Sequence, residues 1–238
     1  MGLGDILSDS VVYPFSDITK FLIVGVIALF SGLSALFGNW GVNNFILVTL
    51  AGILGLIFTL ILAGYGVRVT KYAINRSNEL PDLDLQNNLI DGIKSLIIGI
   101  VYFIIPIIIT LIFAIITGAI SAGFNQMMAG LGVFLVIVVI VFIFFAIFEM
   151  VALARFADTG ELGEALNIGE VIEDVKRIGV GQIILFAIAS VIILIVASLL
   201  VSVLGFIPFI GIIIAQLIIG AFTTLFYSRG IGLLYAGA

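Results

Sequence analysis

Long apolar runs, separated by short polar punctuation, dominate the chain. A helix needs about 20 apolar residues to cross the hydrocarbon core of a bilayer. Six stretches fit: Phe21–Phe37, Phe45–Val67, Ser95–Ile120, Leu131–Leu153, Gly181–Leu204 and Phe206–Tyr227. Runs such as LGVFLVIVVIVFIFFAIF (131–148) are apolar throughout. They lack the alternation a membrane-spanning β-strand shows, so the pattern predicts helices and rejects a barrel. Pro106 falls inside the third span, where a missing N–H predicts a kink. Pro208 falls near the start of the sixth, where a helix tolerates proline.

The polar residues divide the connections into two kinds. GNWGVNN (38–44), SAGFNQMMAG (121–130) and GFIP (205–208) carry no charge. All nine Lys and Arg sit on the other side: Lys20, Arg68, Lys71, Arg76, Lys94, Arg155, Lys176, Arg177 and Arg229. Positively charged loops stay in the cytoplasm, so both termini and both long loops are expected there, in a multi-pass protein of the cytoplasmic membrane. The segment before the first span carries Asp5, Asp9 and Asp17 against Lys20 alone. That is the wrong charge for a secretory leader, and the span is expected to be retained.

One spacing recurs. SDITKFLIVG (16–25), IDGIKSLIIG (90–99) and IEDVKRIGVG (172–181) each read acid, two residues, Lys, four residues, Gly. The charged members are Asp17 and Lys20, Asp91 and Lys94, Glu173 and Lys176; the glycines are Gly25, Gly99 and Gly181. Residues three apart share a helix face, so each acid can pair with its lysine. The glycine lies about 12 Å deeper at 1.5 Å per residue, where closely crossing helices need a small residue. Two spans later each unit ends at an arginine flanked by aromatics: Arg68, Arg155 and Arg229. The expectation is a single polytopic domain over residues 1–238. Within it, three parallel helical hairpins (about 11–72, 85–157 and 166–235) form a pseudo-threefold, all-α bundle. The charge pairs read either as interface anchors or as a vestibule ring, and the arginines as interface anchors. Hydroxyls on the odd spans (Ser31, Ser34, Thr110, Thr117, Ser190, Ser198 and Ser202) place those spans nearer the axis. The uninterrupted fourth span is expected to face lipid.

The segments 78–94 and 159–176 mix apolar and polar positions at helical spacing and predict short amphipathic helices on the cytoplasmic side. Their many acids show no EF-hand spacing, so a solvated face is expected rather than a metal site.

Composition then removes chemistry. The 238 residues are 63% hydrophobic and only 10% charged, with no Cys and no His, and mean hydropathy is +1.42. Thiolate and imidazole chemistry is excluded outright. A net charge of −5 is not the footprint of a nucleic-acid binder. P-loop, HExxH and GxSxG motifs are absent, and GYG (64–66) lacks the setting of a potassium filter. Glu149 is the one acid within an apolar run, and Gln216 lies mid-way along the sixth span. Both are intramembrane polar candidates.

VVYPFSDITKFLIVG (11–25), RSNELPDLDLQNNLIDGIKSLIIGIVYFIIP (76–106) and ARFADTGELGEALNIGEVIEDVKRIG (154–179) resemble a family of archaeal membrane proteins, domain-of-unknown-function 4013. The recognisable points are Leu80, Pro81, Asp91, Gly92, Lys94, Tyr102 and Pro106. The resemblance implies an archaeal cytoplasmic membrane and a six-helix domain, and transfers no catalytic residue. The function expected is a non-enzymatic membrane protein, without cofactor or metal, that organises or partners other membrane components. Membrane lipids, other membrane proteins or further copies of itself are the expected partners. A channel or permease for a small solute or lipid is the alternative. A lipid-modifying enzyme ranks last, for want of catalytic side chains.

Overall fold

A computed structural model describes residues 2–116, 124–207 and 210–237. The readings placed on Thr117, on Pro208 and on residues 120–123 lie outside them. Within the described residues every regular element is helical.

The chain opens with α1 (Leu3–Val12), whose first turn is closed by Asp5 accepting from Gly2 N. A 3₁₀ turn at Tyr13–Phe15 holds Pro14 at its start. Asp17 then caps α2 (Ile18–Ser31) by accepting from the Lys20 amide. The two pieces meet at 87°. A break at Gly32 separates α2 from α3 (Leu33–Asn39). The first expected span is therefore two helices rather than one. Asn44 caps α4 (Phe45–Ile74) through the Leu47 amide.

Residues 78–84 form no helix. Asp84 accepts from Asn87 N and Nδ2, and α5 (Leu85–Ile116) starts there and runs through Pro106. The separate amphipathic helix expected over 78–94 does not exist: Pro81 blocks its first half, and its second half is the first turns of α5. A long α6 (Phe124–Thr159) follows. Gly160, at φ +76°, ends it, with its N–H donated to Phe156 O in the left-handed geometry that glycine adopts freely. The expected amphipathic segment is here, as α7 (Leu162–Leu166) and α8 (Ile168–Ile178). Gly179, at φ +91°, turns the chain into α9 (Val180–Leu204). The last span is α10 (Ile210–Ala215), a π-helical turn (Gln216–Gly220) and α11 (Ala221–Ala236).

Helices α4, α6 and α11, the second of each expected hairpin, pack on one another. Around them α2 lies against α4 and the π turn, α5 against α4 and α6, and α9 against α8, α10 and α11. The even spans are thus central, which reverses the placement read from the odd-span hydroxyls. Ser198 and Ser202 are exposed and donate to carbonyls of their own helix, at Leu194 and Ser198, so their polarity is met locally and demands no burial. Small residues decide the centre instead. Between α4 and α11, Gly66 lies against the Ser228 hydroxyl and Gly232 against Thr70 and Ala73, and Thr70 Oγ1 donates to Ser228 O at 3.1 Å. Helices in an apolar medium gain from this close approach and from interhelical hydrogen bonds.

One end of the bundle is closed by α1, α7 and α8. Ile6, Ala73, Phe156, Ala165, Val171 and Ile231 share a buried core there. The flank of α6 at Leu135, Val136, Val139, Ile140 and Ile143 is exposed, the stripe that a lipid-facing helix presents.

Candidate functional site

The charged end is built on three arginines, each in the last third or half of a central helix. Arg229 on α11 is 2% exposed. It donates to both carboxylate oxygens of Asp9 (2.6 and 3.2 Å), to Asn78 Oδ1 (2.9 Å) and to the Ser77 carbonyl. Its guanidinium lies 4.5 Å from the Tyr13 ring centre. Arg155 on α6 holds Glu164 (2.6 Å), Glu170 (3.1 Å) and Asp174 (2.9 Å). Asp174 also takes Arg177 (3.0 Å) and the Tyr235 hydroxyl (3.0 Å). Arg68 on α4 is looser, donating to Asp82 O at 3.3 Å and lying 3.7 Å from Asp84. The sequence marked all three as interface anchors. Arg155 instead ties down the two short helices that follow it, and Arg229 a segment at the far end of the chain; ion pairs offset their burial, although Arg155 Nε is left without a partner.

The three acid–lysine pairs do three different things. Asp17 is a helix cap, and Lys20 reaches Leu80 O (2.7 Å) and Asp82 (2.7 Å) instead. Only Asp91 and Lys94 pair, loosely, at 3.9 Å, with Lys94 also 5.4 Å from the Phe156 ring. Glu173 and Lys176 are both exposed on α8. No hydrogen bond or ion pair joins the three pairs into a ring among the described residues. In the exposed loop, hydrogen bonding from Lys20 holds the Asp82 carboxyl below its usual range, and bonds from Asn87 do the same for Asp84.

The repeat glycines also diverge. A Cβ on Gly25 would strike the carbonyl of Leu217 in the π turn, whereas one on Gly99 or Gly181 would meet nothing within 4 Å. Those two are not close-packing glycines. Sequence reasoning missed the ones that are: Gly64 and Gly92 at the α4–α5 crossing, with Gly66 and Gly232 between α4 and α11. Paired glycines two apart, at 64 and 66 and at 230 and 232, were the available signal.

Among the cavities of the described residues, two lie between the central helices and open at their sides, where Thr59, Val191, Ile100 and Ile107 are exposed. The central one, about 600 Å³, is walled by α4, α6, α9 and α11, with Ser95 of α5 at its edge. Thr59, Thr70, Ser190, Thr223, Thr224 and Tyr227 give it hydroxyls. Most of these are committed: Thr59 donates to Gly55 O, Thr70 to Gly66 O, and Thr224 to Gly220 O. Among the described residues Tyr227 and Ser190 make no such bond, and of the two Ser190 is the buried one. It is 3% exposed and its Oγ has no partner. A buried hydroxyl left unpaired costs about 1–3 kcal/mol. The second cavity, about 570 Å³, lies between α4, α5 and α6 and shares Thr59, Ala63, Ser95 and Leu153 with the first. Glu149 is in its wall, and so is Gly99. The sequence placed Glu149 near the boundary, beside Arg155. The fold sends Arg155 to α7 and α8, and no hydrogen bond or ion pair reaches Glu149 among the described residues. The Gln216 side chain packs at the Gly32 break, so a kink in one helix faces a π turn in another. Such irregularities are common at functional sites of membrane helices.

Among the described residues no three acids gather as metal ligands. Five helices are long and apolar enough to cross a membrane, or six if α1 with its 3₁₀ turn and α2 count as one bent span. This defines the class: an all-helical protein with the make-up of a multi-pass membrane protein. A family model described as "Protein of unknown function (DUF4013)" matches residues 46–206, and the chain belongs to that family. No curated protein and no solved structure matches it.

Proposed function

We propose that this protein is a non-enzymatic, multi-pass protein of the cytoplasmic membrane that holds a small, largely apolar solute or lipid in its paired cavities, as a carrier or permease. One observation carries the reading: Ser190, whose buried hydroxyl has no partner, lines a cavity of about 600 Å³. That volume is typical of small-molecule sites, which are apolar with a few polar groups that fix orientation. A ligand hydroxyl or carbonyl would complete the hydrogen bonding of Ser190 once its side chain turned into that space.

The proposal includes the repeat. Each central helix carries an arginine in its last third or half that engages the segment preceding the next odd span. Arg68 engages residues 82–84, Arg155 engages α7 and α8, and Arg229 reaches Asp9 of α1 while also donating to Ser77 and Asn78. This recurrence supports three parallel hairpins. The concentration of all nine Lys and Arg at that end supports its facing the cytoplasm, with both chain ends there.

A second reading, that the protein organises other membrane components, is favoured by α9. Its extended contacts are with α1, α8, α10 and α11, and Leu185, Ile188, Ile192, Ile195 and Leu199 leave an exposed apolar flank on which a neighbouring helix would fit.

Native mass spectrometry of protein gently extracted from its own membranes separates the two. A stoichiometric small molecule or lipid, lost in Ser190→Phe, is the result expected. A partner chain in its place would establish the organising role. A protein that carries neither, and passes no solute in proteoliposomes, would overturn the cavity reading.

A further inference from the structure

We propose that the cavity between α4, α5 and α6 takes a monocationic amine with an apolar tail, its charge held by Glu149. This rests on the cavity reading and names the class of molecule.

Every other described acid that is not exposed has a partner. Asp9 has Arg229, Asp84 has Arg68 and Asn87, and Asp91 has Lys94. Glu164, Glu170 and Asp174 share Arg155, and Asp17 accepts a backbone N–H. Glu149 alone stands half-buried in an apolar wall without one. A carboxylate so placed is costly unless a cation meets it or it takes up a proton, and no Lys or Arg lines the cavity. The ligand is then the source of the positive charge.

A protonated primary amine carries three donors. Besides Glu149 the cavity offers the hydroxyls of Thr59 and Ser95. Each already gives its proton to a backbone carbonyl of its own helix, at Gly55 and Asp91. Their oxygens are left to accept. Three acceptors and no donor cation describe an ammonium site. They also argue against an aminophospholipid, whose phosphate would find no partner here.

The rest of the wall is apolar, with Leu60, Leu96, Ile100, Phe103 and Ile107 along it. Gly99 lines it with nothing within 4 Å of where a Cβ would stand, so the missing side chain leaves room for a tail. This gives the repeat glycine of the second hairpin a use other than helix packing.

The test is native mass spectrometry of the detergent-solubilised full chain, offered decylamine, decanol, and a ten-carbon lysophosphatidylethanolamine at equal concentration. Wild type, Glu149→Gln, Glu149→Asp and Gly99→Leu are compared, each first shown monodisperse by size exclusion. Wild type should retain decylamine over decanol by about tenfold, the scale of a charge-assisted hydrogen bond. In Glu149→Gln the ratio should fall to about one, and in Glu149→Asp most of it should survive. Gly99→Leu should reduce retention of both probes. An equal preference in wild type and Glu149→Gln would overturn the assignment of Glu149 while leaving the cavity reading intact. Preferred retention of the lysophospholipid would overturn the simple-amine class in favour of a lipid headgroup. Retention of none of the three by wild type would overturn the cavity reading itself.

Discussion

Gly64 of α4 and Gly92 of α5 meet backbone to backbone. A Cβ on Gly64 would lie 2.8 Å from Gly92 N and collide with the carbonyl of Asn88, and one on Gly92 would collide with the carbonyl of Leu60. Neither helix can admit a methyl without separating. This crossing sets the floor of the Glu149 cavity, because Gly92 is part of its lining.

Gly64→Ala and Gly92→Ala should each destabilise the protein by about 3 kcal/mol, the upper part of the range for overpacking, because backbone rather than a flexible side chain must give way. Gly99→Ala should be neutral or stabilising by about 0.5–1 kcal/mol, since it gains helix propensity and meets no neighbour. Thermal unfolding in one detergent would check the contrast. Equal effects at positions 64 and 99 would contradict the crossing.

Replacing Arg229 should be among the most damaging changes at the charged end. Arg229→Met would leave Asp9 without its cation and the Ser77 carbonyl without its donor. The expected loss is about 3–5 kcal/mol. Arg229→Lys should recover little, because one ammonium cannot reproduce the two-pronged contact with Asp9. A double-mutant cycle with Asp9→Asn would show strong coupling. Additive effects would mean that the pair is incidental.

Ser190→Ala should stabilise the ligand-free protein by about 1 kcal/mol, since it removes a buried hydroxyl with no partner. The same change should weaken retention of the native solute. A destabilised empty protein would mean that the hydroxyl is satisfied from within the fold.

The loop before α5 should loosen in acid. Asp82 and Asp84 are held below the usual carboxylate range by their hydrogen bonds. A carboxyl that is more acidic folded than unfolded contributes stability above its unfolded value, near 4, and loses that contribution as pH falls through the folded value. Amide exchange in residues 77–87 should therefore quicken below about pH 4, ahead of the helices around it. Exchange unchanged between about pH 3 and 6 would show that these bonds do not hold the loop.

The sequence by itself determined what depends on local composition. Runs of apolar residues fixed the helices and their approximate number, because a segment that cannot expose backbone polar groups to lipid must bond them internally. Charge distribution separated one end from the other. The amphipathic spacing of Leu162, Leu166, Val171 and Val175 placed α7 and α8. Tertiary structure alone decided which helix faces the centre and which charge meets which. The acid–lysine–glycine spacing is the same three times in sequence, yet Lys20 leaves Asp17 for Asp82, 62 positions on. Arg229 finds Asp9 at the opposite end of the chain. Glu149, six residues from an arginine, is left without one. Spacing along a helix offers a partner, but an ion pair forms with whichever opposite charge the packing brings nearest with the least desolvation, and that is a property of the whole bundle. The central position of α4, α6 and α11 has the same origin: backbones approach where glycines on two helices coincide, and that coincidence exists only once the helices have crossed.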